Sequence, residues 1–136
     1  MIRFYFESTN NFPLKKTEIK NWLKNVIINE NYEQGNINII FCSDEYLIEI
    51  NKKYLSHDYY TDIVTFNYCE DKTISGDIYI SVDRIRDNAS LYTTNFKNEL
   101  DRVMVHGVLH LLKYDDKTDE QKKEMTAKEN QYLNIR

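Results

Sequence analysis

The chain is poor in the residues that punctuate or staple a fold: it has one proline, three glycines and two cysteines in 136 residues. With no Pro/Gly-rich linker, repeat or low-complexity tract, the sequence reads as a single domain over residues 1–136. Cys42 and Cys69 lack C-x-x-C spacing and stand in strand-like settings, which excludes a disulfide framework and reads as two small buried hydrophobes. No apolar run approaches the roughly 20 residues of a membrane helix. The opening M-I-R-F-Y-F-E turns acidic too early for a secretory signal, so a cytoplasmic protein with no membrane partner is expected. A net charge of −4 counts against generic nucleic-acid affinity, although a local patch can suffice. Lys15, Lys16, Lys20 and Lys24 cluster in the first predicted helix, Lys52 and Lys53 in the second, and Arg84 and Arg86 in the third. Each cluster taken alone reads as a solvated face.

Histidine is scarce as well, and its placement is the most informative feature of the chain. Two of the three histidines fall in V-H-G-V-L-H-L-L-K-Y-D-D, residues 105–116. On a helix, the four-residue step from His106 to His110 stacks both imidazoles on one face. Two imidazoles so placed grip one transition-metal ion, zinc first among them. A third ligand is required, and Asp115 and Asp116 lie just past the predicted helix end. Gly107 costs a helix interior about 1 kcal/mol relative to alanine, which points to close approach of a neighbouring backbone or a substrate. It also stands where H-E-x-x-H has its Glu, so the general base of that protease chemistry is missing.

Hydrophobic periodicity predicts a strand at 2–7 and a helix near 14–30, opened by Pro13, with Ile19, Trp22, Leu23, Val26 and Ile27 inward. A strand at 37–43 follows Gly35, then a helix of about 44–54 capped by Ser43 or Asp44. A polar turn at 55–61 leads to a strand at 62–67. A turn at 70–76 closed by Gly76 precedes a strand at 77–82, and a helix follows at 83–92. Thr94 or Asn95 caps a helix of about 96–113, and a charged helix spans 118–133. The order β-α-β-α-β-β-α-α-α implies an α+β fold with a four-stranded mixed sheet, about five helices, and a central buried helix carrying H-x-x-x-H. That helix is apolar nearly all round except for Glu99, Arg102, His106, His110 and Lys113, so the histidines are expected to line a groove. The turn 55–62 and the strand starting at Asp77 are expected to face that groove, because Asp58, Thr61, Asp62 and Asp77 have no other evident role.

With these motifs laid out, the sequence resembles the YbeY family of metal-dependent endoribonucleases linked to ribosomal RNA maturation. The family's H-G-x-L-H-L-x-G-Y-D-H is matched at His106, Gly107, Leu109, His110, Leu111, Tyr114 and Asp115. Its N-x-x-Y-R-x-K-D-x-P-T-D-V-L-S-F is echoed at Asn51, Tyr54, Asp58, Thr61, Asp62 and Phe66, and its G-D-I-x-I-S at Gly76, Asp77, Ile78, Ile80 and Ser81. The resemblance covers about residues 37–116 in order. It implies one YbeY-like hydrolase domain with a single divalent ion, zinc first, held by His106, His110 and Asp116. Asp116 takes the place of the family's third histidine. It further implies RNA as partner (a small-subunit ribosomal RNA precursor, with ribosomal proteins beside it), no nucleotide cofactor, and phosphodiester hydrolysis by a metal-bound water. Asp62, Arg102 and Asp115 are the candidate catalytic groups, and Lys52, Lys53, His57, Asp58 and Thr61 the candidate substrate contacts. Leu55 and His57 replace a family Arg and Lys, and Lys113 replaces a Gly. Two alternatives are a non-catalytic ribosome-assembly or RNA-binding factor with a structural metal, and another zinc-dependent hydrolase.

Overall fold

A computed structural model of the chain describes residues 1–57 and 60–136. Among the described residues the elements run β1 (Ile2–Glu7), α1 (Lys16–Asn29), β2 (Glu33–Cys42), α2 (Asp44–Leu55) and β3 (Ile63–Asn67). Then come β4 (Thr73–Ser81), α3 (Val82–Leu91), α4 (Phe96–Leu111) and α5 (Asp119–Leu133). The order and type of all these elements agree with the periodicity, and the α+β class holds. The sheet runs β1-β2-β4-β3, with β1, β2 and β4 parallel and β3 antiparallel at the edge.

Register decides which face is the core. Ile2, Ile37 and Gly76 share one row, Phe4, Ile39 and Ile78 the next, and Phe6, Phe41 and Ile80 the third. Because side chains alternate along a strand, these rows give one continuous apolar face. Val105, Val108, Leu109 and Leu111 of α4 are buried in the same cluster. Gly107 shows why this helix can sit so low. A Cβ there would lie 2.8 Å from Ile78 Cγ2 and 2.9 Å from Ile63 Cδ1, so the approach is to the side chains of the sheet.

Among the boundaries that differ from the sequence reading, three have a plain local reason. Gly76 lies inside β4, where a Cβ would meet the Phe66 carbonyl oxygen at 2.5 Å; the glycine marks close strand approach rather than a turn. Gly35 likewise lies within β2, beside a register shift between Gln34 and Ile37. Val82 begins α3 because the Ser81 hydroxyl accepts the Arg84 N–H at 3.2 Å and caps the helix.

The end of α4 sets up the site. The helix stops two residues earlier than predicted, in a paired turn: Lys113 N–H donates to His110 O and Tyr114 N–H to Leu109 O, each at 3.0 Å. This turn places Lys113 at φ 78°, a conformation that favours glycine. Lys113→Gly is therefore expected to stabilise the fold by about 0.5–1 kcal/mol. The check is a higher urea midpoint at unchanged m-value.

Candidate metal centre

His106 and His110 rise from the groove-facing side of α4, and the turn at Lys113 swings Asp116 back over them. The His106 and His110 Nε2 atoms are 3.0 Å apart, and Asp116 Oδ2 lies 3.4 Å from the first and 3.5 Å from the second. These three are the metal-capable His/Cys/Asp/Glu cluster among the described residues. Bonds of 2.0–2.1 Å to a tetrahedral zinc put neighbouring ligand atoms about 3.3 Å apart, so the triangle has the right size. Side-chain exposures of 20%, 21% and 40% leave one side of it open to the groove. Structural zinc sites are usually closed, whereas catalytic ones keep a position open.

Glu129 completes the arrangement. Its Oε2 accepts from His106 Nδ1 at 2.6 Å, while its Oε1 accepts from Arg102 Nη1 at 2.8 Å. With the His106 proton on Nδ1, the neutral ring turns its Nε2 lone pair toward His110 and Asp116. A carboxylate behind a ligating imidazole fixes tautomer and orientation and raises basicity. The sequence reading missed this residue, having taken α5 as a charged helix. The available signal was Met125, Glu129 and Tyr132, the buried stripe of α5 at i, i+4 and i+7, with a carboxylate in its middle.

Titration of the two rings diverges. Burial pushes the His106 imidazolium down, but the hydrogen bond and charge of Glu129, helped by Asp116 and Asp62, outweigh it and the net shift is upward. His110 is pushed down, first by burial and then by the positive charge of His106. A raised folded-state value gives the metal-free protein stability that is full below an ordinary histidine pKa of about 6.5 and is lost as pH rises through the raised value. Metal binding runs the other way, because ligating imidazoles must be deprotonated. The rise in melting temperature on adding zinc is therefore expected to be smallest near about pH 5 and to grow toward about pH 8. A rise independent of pH would remove His106 from the ligand set.

A second polar knot holds the loop that carries Asp116. Tyr114 Oη donates to Glu30 Oε1 at 2.5 Å, Lys128 Nζ pairs with Glu30 Oε2 at 3.1 Å, and Tyr132 Oη donates to the same carboxylate. Burial pushes the Glu30 carboxyl up, yet Tyr114, Tyr132 and Lys128 together hold it below its ordinary value. The knot ties α1, α5 and the α4–α5 loop together beside the histidines.

The other residues singled out from sequence divide. Asp62, half-buried before β3, lines the same groove as His106; burial raises its pKa, and Asp116 and Glu129 add to the rise against the pull of His106. Asp115 is exposed and acts on His110 through its charge. Arg102 is committed to Glu129 and, through Nη2, to Asn130 Oδ1 at 2.9 Å. Thr61 Oγ1 donates to the Ile63 carbonyl at 3.4 Å, Lys53 sits over the Tyr54 ring, Lys52 pairs with Glu49 at 3.6 Å, and the His57 amide donates to Asn51 O. Asp58 lies outside the described residues. Asp77 is a correction: it alternates with Ile78 on β4 and so projects from the sheet face away from α4, where it accepts from Asn38 Nδ2 at 3.0 Å.

The model of the family described as Endoribonuclease YbeY matches residues 5–135. The chain belongs to the YbeY family. Its relatives include a Cytophaga hutchinsonii protein named Endoribonuclease YbeY, 47% identical over 135 residues, covering 98% of this chain and 94% of that one. A Flavobacterium psychrophilum protein of the same name is 46% identical over 136 residues, covering 99% and 96%. The solution structure of TM1509 from Thermotoga maritima superposes with a TM-score of 0.69 at 30% identity, covering 98% of this chain and 87% of that one. Among the described residues no helix is long and apolar enough to cross a membrane.

Proposed function

We propose that this YbeY-family protein is an endoribonuclease, the activity for which its relatives are named, and that it works with a bound metal ion. The carrying observation is the open triangle of His106 Nε2, His110 Nε2 and Asp116 Oδ2, backed by Glu129. His106, His110 and Asp116 would hold a divalent ion, which would supply Lewis acidity toward a phosphoryl oxygen and activate water. Zinc suits two imidazoles and one carboxylate, although the carboxylate also admits harder divalent ions.

The chain's own side chains divide the remaining work. Glu129 holds His106 in the ligating tautomer, and Arg102 neutralises Glu129 from the far side. Asp62 is the carboxyl in the groove placed to carry a proton, and Asp115 tunes His110 electrostatically. Lys52, Lys53, His57, Asp58 and Thr61 are assigned to the RNA strand. Ribosomal RNA precursor of the small subunit as substrate, ribosomal proteins as neighbours and a cytoplasmic site of action complete the proposal.

Cleavage of single-stranded RNA that appears on adding zinc or another divalent ion and vanishes with a chelator supports this reading. No cleavage of any structured or single-stranded RNA by metal-loaded protein favours the assembly-factor reading. One departure bears directly on that choice: Leu55, the last residue of α2, stands where the family has an arginine. Leu55→Arg is expected to raise kcat/KM on RNA by about tenfold or more, the worth of one charge-assisted hydrogen bond to phosphate. An unchanged rate would show that the clamp is supplied elsewhere.

A further inference from the structure

Beyond His106 the groove opens into a cavity of about 940 Å³ that runs back along α4 toward the end of α3. One residue in its wall keeps a pair of acceptors that no described side chain uses. Glu99 is only 6% exposed, yet its carboxylate makes no hydrogen bond or ion pair with any described residue. The guanidinium one turn further on does not satisfy it, because Arg102 is engaged through Nη1 with Glu129 and through Nη2 with Asn130. The Glu99 oxygens reach the solvent of the cavity rather than the protein interior, so a donor-bearing group that displaces this water finds both acceptors free.

The surroundings select that group. Burial pushes the Glu99 carboxyl up, and the charges of Asp62 and Glu129 add to the rise against the pull of Arg102. Lys97, Arg102 and Arg136 also line the cavity but are paired with Asp101 and Glu129, so the Glu99 carboxylate favours a neutral group with two adjacent N–H donors over phosphate. In RNA that group is the Watson–Crick edge of guanine, whose ring N–H and exocyclic amino group reach both oxygens of one carboxylate. Adenine and cytosine set a ring-nitrogen lone pair beside their amino group, and uracil flanks its N–H with carbonyls, so each meets the carboxylate with repulsion. Tyr92, 66% exposed on the cavity wall, offers a ring for stacking, and Asn88 and Asn98 offer amides. Glu99 precedes His106 by two helical turns, about 10 Å, which leaves room for the base of a nucleotide next to the phosphate at the metal centre.

We propose that this cavity is a nucleobase subsite in which Glu99 reads a guanine flanking the scissile phosphate. The proposal takes its phosphate from the endoribonuclease reading, but base recognition itself requires no cleavage. Glu99→Gln replaces two acceptors by one acceptor and one donor, the pattern that suits adenine. Guanosine and adenosine monophosphate, which contain no phosphodiester, are titrated calorimetrically into metal-loaded protein, with inorganic phosphate as control. The wild type is expected to favour guanosine monophosphate by roughly 10- to 100-fold. Glu99→Gln cancels or inverts that ratio, Glu99→Asp keeps its direction, and all three proteins bind phosphate alike. Cleavage positions in random-sequence single-stranded RNA give a second readout, with guanine enriched at a fixed offset for wild type and not for Glu99→Gln. Equal binding of both nucleotides together with no enrichment overturns the subsite, as does an unchanged preference in a folded Glu99→Gln. A guanosine preference without RNA cleavage sinks the endoribonuclease reading alone, and cleavage without base preference sinks the subsite alone.

Discussion

His110→Ala is expected to lower RNA cleavage by more than about 100-fold while the protein stays folded. Loss of an outer partner of a metal ligand already costs 10–100-fold, and loss of a ligand removes more. The substitution leaves the fold standing because the partly exposed His110 ring points to His106 and Asp116 rather than into the core, while Val105, Val108, Leu109 and Leu111 keep α4 there. RNA binding should survive in part, since lysine and arginine contacts to phosphate carry it and weaken with salt. A purely structural metal predicts the opposite pairing, a large fall in melting temperature with binding lost alongside. Cleavage and thermal melts on one preparation separate the two.

The second large effect concerns packing. Gly107→Val is expected to destabilise the protein by about 3 kcal/mol, the upper end for an overpacked core. At this chain length that corresponds to a fall in melting temperature of roughly 10 °C. The cause is the space already taken by Ile78 Cγ2 at 2.8 Å and Ile63 Cδ1 at 2.9 Å from the Cβ position. Ile63 Cδ1 is a side-chain end that can give way, whereas Ile78 Cγ2 branches from Cβ of a buried strand residue. Gly107→Ala therefore also strains the contact but, with about 1 kcal/mol of helix propensity regained, should cost less than the valine. Lifting α4 also carries His106 away from Glu129, so the valine variant should bind zinc more weakly than the alanine variant. Equal melting temperatures for both variants would show that α4 does not rest on the sheet through this glycine.

How much of this was legible in the sequence depends on how local each cause is. Helix and strand periods are local, so the order of the elements and the inward faces of α1 and α4 could be read directly. Gly35 and Gly76 misled because a glycine in a close-packed strand and a glycine in a turn look alike; only the Phe66 carbonyl across the sheet distinguishes them at Gly76. The His106–His110 pair was legible because a helix fixes its own geometry. Asp116 was reached through family resemblance, and the turn at Lys113 that delivers it is a positive-φ position filled by a non-glycine residue. The α5 stripe marks Glu129 as inward, but that it meets His106, and that Glu30 meets Lys128, comes from the docking of α5, a contact no local pattern encodes. Asp77 failed because an aspartate at a strand entrance looks the same whichever face it takes, and the register turns it away from α4.

One metal site at His106, His110 and Asp116 would show itself in the composition of the purified protein. Elemental analysis of protein purified without added metal, compared with the His106→Ala/His110→Ala double variant, tests it most directly. The arrangement predicts close to one transition-metal ion per chain in the wild type, zinc first, and almost none in a folded double variant. Equal metal content in the two proteins would contradict it.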